Sequence, residues 1–250
     1  MSDKYSIVTA AERTDLYEHA SKIVVEVWPE FMLHDEVCIK YMGYLRQNHP
    51  ELQFGLWDNE SDTLAAFANS LAFQWDGRIE DLPNGGIDWA LIKSYEDAEA
   101  GRTPNLQCAV QIVIPKSRQG SGLSTLAVRT MIEIGKKRGL KALVAPVRPN
   151  LKHQYPLIPC EEYITWKTSE GLPFDPWLRV HARIGGKIVK VCDKSMDIRG
   201  TVEDWENWTK LNFPGSGRHI IPGALVPVEF DLEKDEGVYI EPNVWTVHEW

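Results

Sequence analysis

The sequence predicts an α/β fold in which a single domain spans residues 1–250. Two stretches carry this prediction. Residues 106–145 read as a strand, a glycine-bearing loop, an amphipathic helix and a second strand, whereas residues 5–75 read as a strand, two helices and a pair of strands. A chain of 250 residues that is 43% hydrophobic is also long enough to bury a sizeable core.

The first fifty residues are predicted to form one strand followed by two helices. Residues 5–9 form a candidate first strand. A helix is predicted after Ala11, because apolar residues recur at spacings of three and four until Pro29 interrupts the pattern. A second helix is predicted over residues 37–45, and it ends before Pro50.

A hairpin and an irregular segment come next. Residues 52–57 and 64–75 are predicted to pair as antiparallel strands around a polar turn. Residues 76–105 are rich in proline and glycine and hold a candidate helix over 88–100. This segment is either a solvated surface excursion or a lid over a substrate pocket, and the apolar underside of such a lid would be Trp89, Ile92 and Tyr95.

The unit from Leu106 to Ala145 is the best-defined part of the sequence. A strand rich in β-branched residues runs to Pro115, and a loop with Gly120 and Gly122 leads into an amphipathic helix that ends at Gly139. The start of a helix presents unpaired backbone N–H groups and the positive end of the helix dipole. The loop therefore indicates a binding site for a phosphate or pyrophosphate.

Beyond this unit the pattern becomes irregular. Residues 148–175 contain four prolines among several aromatic residues, which indicates a proline-braced segment with an aromatic filling. A helix capped by Asp175 should follow and end at Gly185. The remaining predicted elements are a strand at 187–191, a helix at 201–211, a strand at 224–230 and a last strand or arm at 239–248.

Charge excludes some partners and indicates another. The formal net charge of −9 argues against nucleic acid and against an anionic membrane surface. Nine basic residues and one acidic residue nevertheless fall between Pro115 and His153. This local excess of positive charge indicates an anionic ligand, unless the run from Lys136 to Arg138 mainly balances the end of a helix.

The sequence gives no indication of export, membrane insertion or metal binding. The first residues lack a basic stretch followed by an apolar core, and no apolar run reaches the roughly 18–20 residues of a spanning helix. The cysteines are scattered without a CxxC pair, at Cys38, Cys108, Cys160 and Cys192. We therefore expect reduced cysteines, no metal site and a cytoplasmic protein.

The order of elements and the loop sequence resemble the GCN5-related N-acetyltransferase superfamily, whose members are acyl-CoA-dependent acyltransferases. The diagnostic motif of that family is Gln/Arg-x-x-Gly-x-Gly/Ala at the start of a helix, and Gln119, Gly122 and Ser124 stand at those spacings. Ser124 departs from the glycine or alanine of the family, although it remains small. A weaker similarity lies downstream, where His181 occupies the position of a tyrosine that often protonates the leaving thiolate in the family.

The resemblance implies a mixed, mostly antiparallel central sheet flanked by helices. In this chain the fold would carry insertions at about 76–105 and 148–176 and a C-terminal extension from about residue 199. It also implies acetyl-CoA or another acyl-CoA as co-substrate. The residues expected to bind it are Val110, Ile112 and Val113 on the strand, and Lys116, Arg118, Gln119, Gly120, Ser121, Gly122, Leu123 and Ser124 at the loop.

The acceptor side of the site is less well defined by the sequence. His181 and His34 are the candidate general acid or base, because histidine changes its charge near neutral pH. The density of aromatic residues indicates an acceptor or acyl chain with apolar bulk. The candidate substrate-binding residues are Trp28, Phe31, Gln111, Tyr155 and Trp177.

The function expected from these observations is transfer of an acyl group, with acetyl favoured, from acyl-CoA to an amine of a small molecule. The alternatives are an O-acyltransferase, an enzyme that takes its acyl group from a carrier protein, and a non-catalytic CoA-binding protein. A Rossmann dinucleotide fold is disfavoured, because Thr125 stands where the Gly-x-Gly-x-x-Gly pattern needs its third glycine. The sequence leaves a homodimer open.

Overall fold

A nine-stranded sheet organises the computed structural model, which describes residues 4–250. Its strands are β1 Tyr5–Thr9, β2 Gln53–Asp58, β3 Thr63–Phe73, β4 Leu106–Val113, β5 Ala142–Val147, β6 Lys187–Gly200, β7 Gly217–His219, β8 Val228–Asp231 and β9 Glu236–Glu249. Eight of them lie in the order β1-β2-β3-β4-β5-β9-β8-β7, and β6 pairs with β9 beside this path. All pairs are antiparallel except β4 and β5, which are parallel.

The described residues also form seven α-helices, besides five short 3-10 helices. They are α1 Leu16–Val27, α2 Glu36–Asn48, α3 Gly86–Glu99, α4 Leu123–Lys137, α5 Cys160–Tyr163, α6 Pro176–Arg183 and α7 Val202–Thr209. None of these helices is long and apolar enough to cross a membrane.

Helices cover both faces of the sheet. Residues that alternate along a strand point to opposite faces. Accordingly, Ala68 and Leu143 pack with α4 and α6, whereas Phe67, Leu71 and Val144 pack with the layer of α1, α2 and α3. The predicted mixed, mostly antiparallel sheet flanked by helices is confirmed.

Side chains cap two helices in the second half of the chain, and one of these caps, Asp175, is predicted by the sequence. Asp175 accepts hydrogen bonds from the backbone N–H groups of Trp177 and Leu178 at the start of α6. Thr201 and Asp204 form a reciprocal capping box at the start of α7.

Within the segment 76–105, α3 is a layer of the core, whereas residues 76–78 and 98–104 are exposed. The predictions of a solvated excursion and of a lid are therefore both wrong for the helix. α3 packs against β3 and β6. Asp97 is buried on it because Gln74 N–H donates to its carboxylate and because Lys93 and Arg102 pair with it. The buried residues of α3 are Gly86, Ile87, Asp88, Ala90, Leu91, Ser94 and Asp97, whereas the predicted underside (Trp89, Ile92 and Tyr95) is only half-buried.

The segment 148–176 has the aromatic filling that the sequence predicts. Four rings contact one another with centroids 5.0–6.1 Å apart, those of Tyr155, Tyr163, Trp166 and Phe174. Below them the fully buried Lys152 donates hydrogen bonds to the carbonyl oxygens of Tyr155 and Leu225. This ammonium therefore fixes the segment to the loop that precedes β8.

The last fifty residues complete the sheet. β9 pairs with β5, β6 and β8, so this strand lies in the interior of the sheet although it follows all its neighbours in sequence. β6 is nearly three times as long as the predicted strand, β8 is shorter than predicted, and the short strand β7 is not predicted by the sequence.

Candidate functional site

An opening separates β4 from β5 in the middle of the sheet. Their parallel register ends at Cys108 and Val144. Beyond this point β4 carries an extra residue, Val110, relative to β3, and β5 contains Pro146, which has no N–H to donate. The two strands therefore diverge, and residues 109–112 of β4 are left only half-buried.

A cavity of about 400 Å³ occupies this opening. It is lined by α4 and α6 on one face of the sheet and by α1, α2 and α3 on the other. Its wall is mostly apolar, and its size lies in the range of roughly 300–1,000 Å³ that is usual for small-molecule sites. The polar residues that line it are Gln111, Arg148, Asn150, His181, Glu241 and Asn243.

The glycine loop lies between the end of β4 and the start of α4. Gly120 and Gly122 have φ angles of 78° and 84°, in the left-handed region that favours glycine. No side chain caps α4, so the N–H groups of its first turn are unpaired. This arrangement suits a phosphate or pyrophosphate, as the sequence predicts.

Arg118 is committed to the protein rather than free for a ligand. Its guanidinium donates 2.5 Å to the Asp58 carboxylate and 3.0 Å to each of the hydroxyls of Ser61 and Thr63. The pKa of Asp58 is lowered to about 2, chiefly by this hydrogen bond. We infer that Arg118 positions the loop against the β2–β3 turn, whereas Lys116 is exposed and can reach an anion.

The loop is also held by its own polar groups. The side chain of Gln119 donates to the carbonyl of Ile114 over 3.3 Å, and the hydroxyl of Ser121 donates to the carbonyl of Arg118 over 2.5 Å. Leu123 is buried and anchors the start of α4, and Ser124 is half-buried beside it.

A chain of amide side chains supports the cavity wall. Trp28 Nε1 donates to Gln111 Oε1 over 3.1 Å, and Gln111 Nε2 donates to the side chain of Asn69. Asn69 in turn donates to Gln53 over 2.7 Å. These bonds fix Trp28 and Gln111, two of the predicted substrate-binding residues, in positions that line the cavity.

His181 lines the cavity from α6 and is 4% exposed. Its Nδ1 lies 2.8 Å from Nε2 of His248, which comes from β9. Burial lowers the pKa of His181 to about 3, with His248 adding to the effect, and burial lowers the pKa of His248 to about 4. The pair is therefore neutral near pH 7, and within residues 4–250 Nε2 of His181 has no hydrogen-bond partner.

We expect neither ring to titrate between about pH 5.5 and pH 8, because both folded-state pKa values lie below this window. The unfolded chain takes up these protons near pH 6.5, so the pair contributes stability that falls as the pH drops below that value. NMR of ¹³C-labelled imidazole rings over this pH range measures the titration. A midpoint inside the window for either ring would contradict the assignment.

Three predicted site residues lie away from the cavity. His34 stacks on Trp208 with centroids 4.3 Å apart and bonds to Glu30, which corrects its prediction as a catalytic base. Phe31, 2% exposed, packs into the core against the rings of Trp205 and Tyr239. Tyr155 belongs to the aromatic filling described above.

The remaining predicted residues divide between cavity and core. Trp177 lines the cavity, as do Val110 and Ile112. Val113 is fully buried and packs in the cluster that includes α1 residues, because it follows Ile112 on the opposite face of β4.

An ion pair that the sequence does not reveal closes one side of the cavity. Arg148 Nε donates to both Glu241 oxygens, at 3.0 and 2.9 Å, and Tyr239 and Asn243 donate to the same carboxylate. Burial alone would lower the pKa of Arg148, but the Glu241 carboxylate outweighs it and raises that pKa. No sequence pattern links residues that lie 93 positions apart.

The chain is similar in sequence to a known protein over nearly its whole length. No family model matches the chain. The arginine N-acetyltransferase avaD of Aspergillus versicolor is 31% identical over 273 residues, an alignment that covers 98% of this chain and 93% of the relative.

Solved structures share the fold over its whole length. The loading GNATL domain of CurA from Lyngbya majuscula has a TM-score of 0.62 and 18% identity, and the match covers 99% of this chain and 98% of that domain. The GphF GNAT-like decarboxylase in complex with isobutyryl-CoA has a TM-score of 0.56 and 12% identity, with 98% of each chain covered.

Proposed function

The chain belongs to the GCN5-related N-acetyltransferase superfamily, and on this basis we propose that it transfers an acetyl group from acetyl-CoA to a nitrogen of arginine or of a small amine with similar charge. The activity class, acyl-CoA-dependent N-acyl transfer to an amine, follows from its relative in sequence. The choice of acetyl and of arginine is supported by the name of that relative. The observation that carries the proposal is the cavity between β4 and β5, together with the uncapped start of α4, the helix that lines it.

The donor would lie along β4. The glycine loop offers its N–H groups to the pyrophosphate, and Lys116 adds positive charge. Residues 109–112, which have no partner on β5, offer backbone groups to the extended arm of coenzyme A. The thioester would then reach the opening, where His181 lies.

The reaction requires the transfer of one proton from the acceptor nitrogen to the thiolate of coenzyme A. The uncharged nitrogen of the acceptor attacks the thioester carbon, a C–N bond forms, and the C–S bond breaks as the tetrahedral intermediate collapses. The nitrogen loses a proton and the thiolate of coenzyme A gains one. Nε2 of the neutral His181 is suited to carry this proton, because His248 holds the ring through Nδ1 and leaves Nε2 without a partner in the described part of the chain, on a residue that lines the cavity.

Thermal-shift titration with CoA, acetyl-CoA and longer acyl-CoAs tests donor binding, and release of free thiol in the presence of L-arginine tests turnover. The absence of stabilisation by every acyl-CoA would refute the proposal. Carrier-protein thioesters serve as the alternative donor. Treatment of the product with hydroxylamine distinguishes an amide, which resists it, from the ester that an O-acyltransferase would make.

The cytoplasmic location and a homodimer stay predictions of the sequence.

Gly122→Ala should weaken CoA binding about tenfold. A Cβ at this position meets nothing within 4 Å, so the substitution acts through the left-handed backbone, at roughly 1–2 kcal/mol. The backbone shifts to relieve that strain, and the shift moves the loop N–H groups that are expected to bind the pyrophosphate. Isothermal titration with CoA measures the effect.

Gly139→Ala is the matched control for this prediction. Gly139 has a φ of 74° and equally open surroundings, but it lies beyond the C-terminal end of α4. The control should lose similar stability and keep its affinity for CoA within about twofold. Equal weakening of CoA binding in both variants would count against the loop as the pyrophosphate site.

A further inference from the structure

Two buried carboxyl groups lie side by side without a cation. Asp35 caps α2 and accepts a hydrogen bond from the N–H of Cys38 over 2.7 Å, whereas Asp88 accepts one from the N–H of Asp197 over 3.1 Å. Asp35 is fully buried and Asp88 is 8% exposed. The second oxygen of each, Asp35 Oδ2 and Asp88 Oδ1, has no partner within residues 4–250.

The other buried carboxylates of the chain are treated differently. Asp58 pairs with Arg118, Asp97 pairs with Lys93 and Arg102, and Glu241 pairs with Arg148. Asp175 has no cation, but both of its oxygens accept hydrogen bonds. Burying an unpaired carboxylate is costly, because water no longer solvates its charge. The pair of Asp35 and Asp88 is thus complementary to a positive group that comes from outside the chain.

The spacing of the two groups fits a nitrogen donor. The ligand atoms of Asp35, Asp88 and Cys38 lie within 4.8 Å of one another, and no hydrogen bond joins the two carboxyl groups. A guanidinium or ammonium that lies about 2.9 Å from each of two oxygens can bridge such a gap.

The pair is adjacent to the cavity, at its end between α2 and α3. Neither aspartate lines the cavity itself, but Cys38, which lies in one cluster with both, does line it, as does Ile87, the residue before Asp88. The flexible side chains of Met42 and Met196 also line the cavity. His181 lines the cavity from α6, on the opposite face of the sheet. An elongated acceptor could therefore place its reactive nitrogen near His181 and a cationic group near the aspartates.

We propose that Asp35 and Asp88 together bind the positively charged group of the acceptor that does not react, and so select acceptors that carry a guanidinium or ammonium at one end. This inference rests on the proposed function. It is favoured over a divalent metal site because the third group is a thiol. Burial and the neighbouring acids raise the pKa of Cys38 well above its ordinary value, and a protonated thiol is a poor metal ligand.

The charge state of the pair gives the proposal a distinct readout. Burial raises the pKa of Asp88 to about 8, and Asp35, Asp197 and Glu241 add to the increase. Burial also raises the pKa of Asp35, although its hydrogen bonds to the backbone oppose this. The empty pair thus holds a proton at pH 7, which a bound cation would displace. Affinity for a cationic acceptor should therefore rise as the pH increases from 6 to 9.

Isothermal titration of the CoA-saturated protein with L-arginine, in two buffers of different ionisation enthalpy, measures both affinity and proton release. Asp88→Asn and Asp35→Asn remove one ionisable carboxyl group each, and asparagine remains a good N-cap at position 35. We expect each variant to raise the Kd for arginine at least about tenfold. Proton release should disappear in Asp88→Asn, and affinity for CoA should stay unchanged.

Two controls separate recognition from folding. Asp97→Asn alters a buried aspartate on the same helix that already has cationic partners, and it should leave the Kd for arginine within about twofold. L-citrulline, the neutral isostere of arginine, should bind the wild type weakly. Its Kd for the two variants should equal its Kd for the wild type.

Three results would overturn the inference. The first is arginine binding that is equally tight in the wild type and in both variants. The second is no arginine binding to a wild type that does bind CoA. The third is Zn²⁺ binding that both variants lose while arginine binding persists. A wild type that binds no acyl-CoA refutes the proposed function instead, and arginine titration of the CoA-free protein then still tests the carboxylate pair.

Discussion

Replacing His181 with Asn should lower kcat about 100- to 1,000-fold, the usual contribution of a positioned acid or base. Asparagine keeps a polar atom near the Nδ1 position that contacts His248 and lacks the Nε2 that is proposed to carry the proton. Affinity for CoA should change less than about threefold, because the expected donor contacts lie on β4 and at the glycine loop. Steady-state kinetics with acetyl-CoA and isothermal titration with CoA give the two values.

His34→Asn is the control for this experiment. His34 is the second histidine that the sequence singles out, but it stacks on Trp208 outside the cavity. Its replacement should leave kcat within about twofold. The proton-transfer role would be refuted if the His181 variant retained most of the wild-type activity. If the wild type shows only traces of activity, and the variant shows the same traces and still binds CoA, the non-catalytic alternative is favoured.

Replacing Arg148 with Met should lower the free energy of unfolding by about 3–5 kcal/mol. The substitution leaves the fully buried Glu241 carboxylate without its cation, and an uncompensated buried charge costs this much. For a chain of this size the loss corresponds to a fall in Tm of roughly 6–20 °C. Urea denaturation and calorimetry measure both quantities.

The exposed pair of Arg78 and Asp81 supplies the comparison. Arg78→Met should cost far less stability than Arg148→Met, because water screens that pair. Combining Arg148→Met with Glu241→Gln should recover much of the stability, since no unpaired charge then remains. A loss below about 1 kcal/mol in the single Arg148 variant would show that the ion pair does not stabilise the fold.

The fold could be predicted where the pattern of the sequence is local. The helix from Leu123 has a regular apolar stripe and a glycine at each end, and its bounds agree with the structure. α3 was misinterpreted because its buried side contains Ser94 and Asp97, which a hydrophobic pattern assigns to solvent. Asp97 is buried because of partners at Gln74 and Arg102, and these cannot be read from helical spacing.

The site could be predicted on its donor side and not on its acceptor side. The glycine loop is contiguous in sequence, so its chemistry is visible in a few residues. His248, Glu241 and Asn243 reach the cavity region only because β9 returns to the middle of the sheet. Tyr155 and Phe31 were expected at the site for their aromatic character, but such rings equally fill a core.

The position of β9 also determines the order in which the molecule can assemble. Its neighbours β5 and β6 precede it by many residues, so their pairing must wait for the closure of long loops. Until residues 236–249 leave the ribosome, β5 and β6 have unsatisfied edges that can join other chains. Slow refolding and concentration-dependent aggregation should therefore accompany any delay in the arrival of this strand, and the contact between His181 and His248 can form only after it arrives.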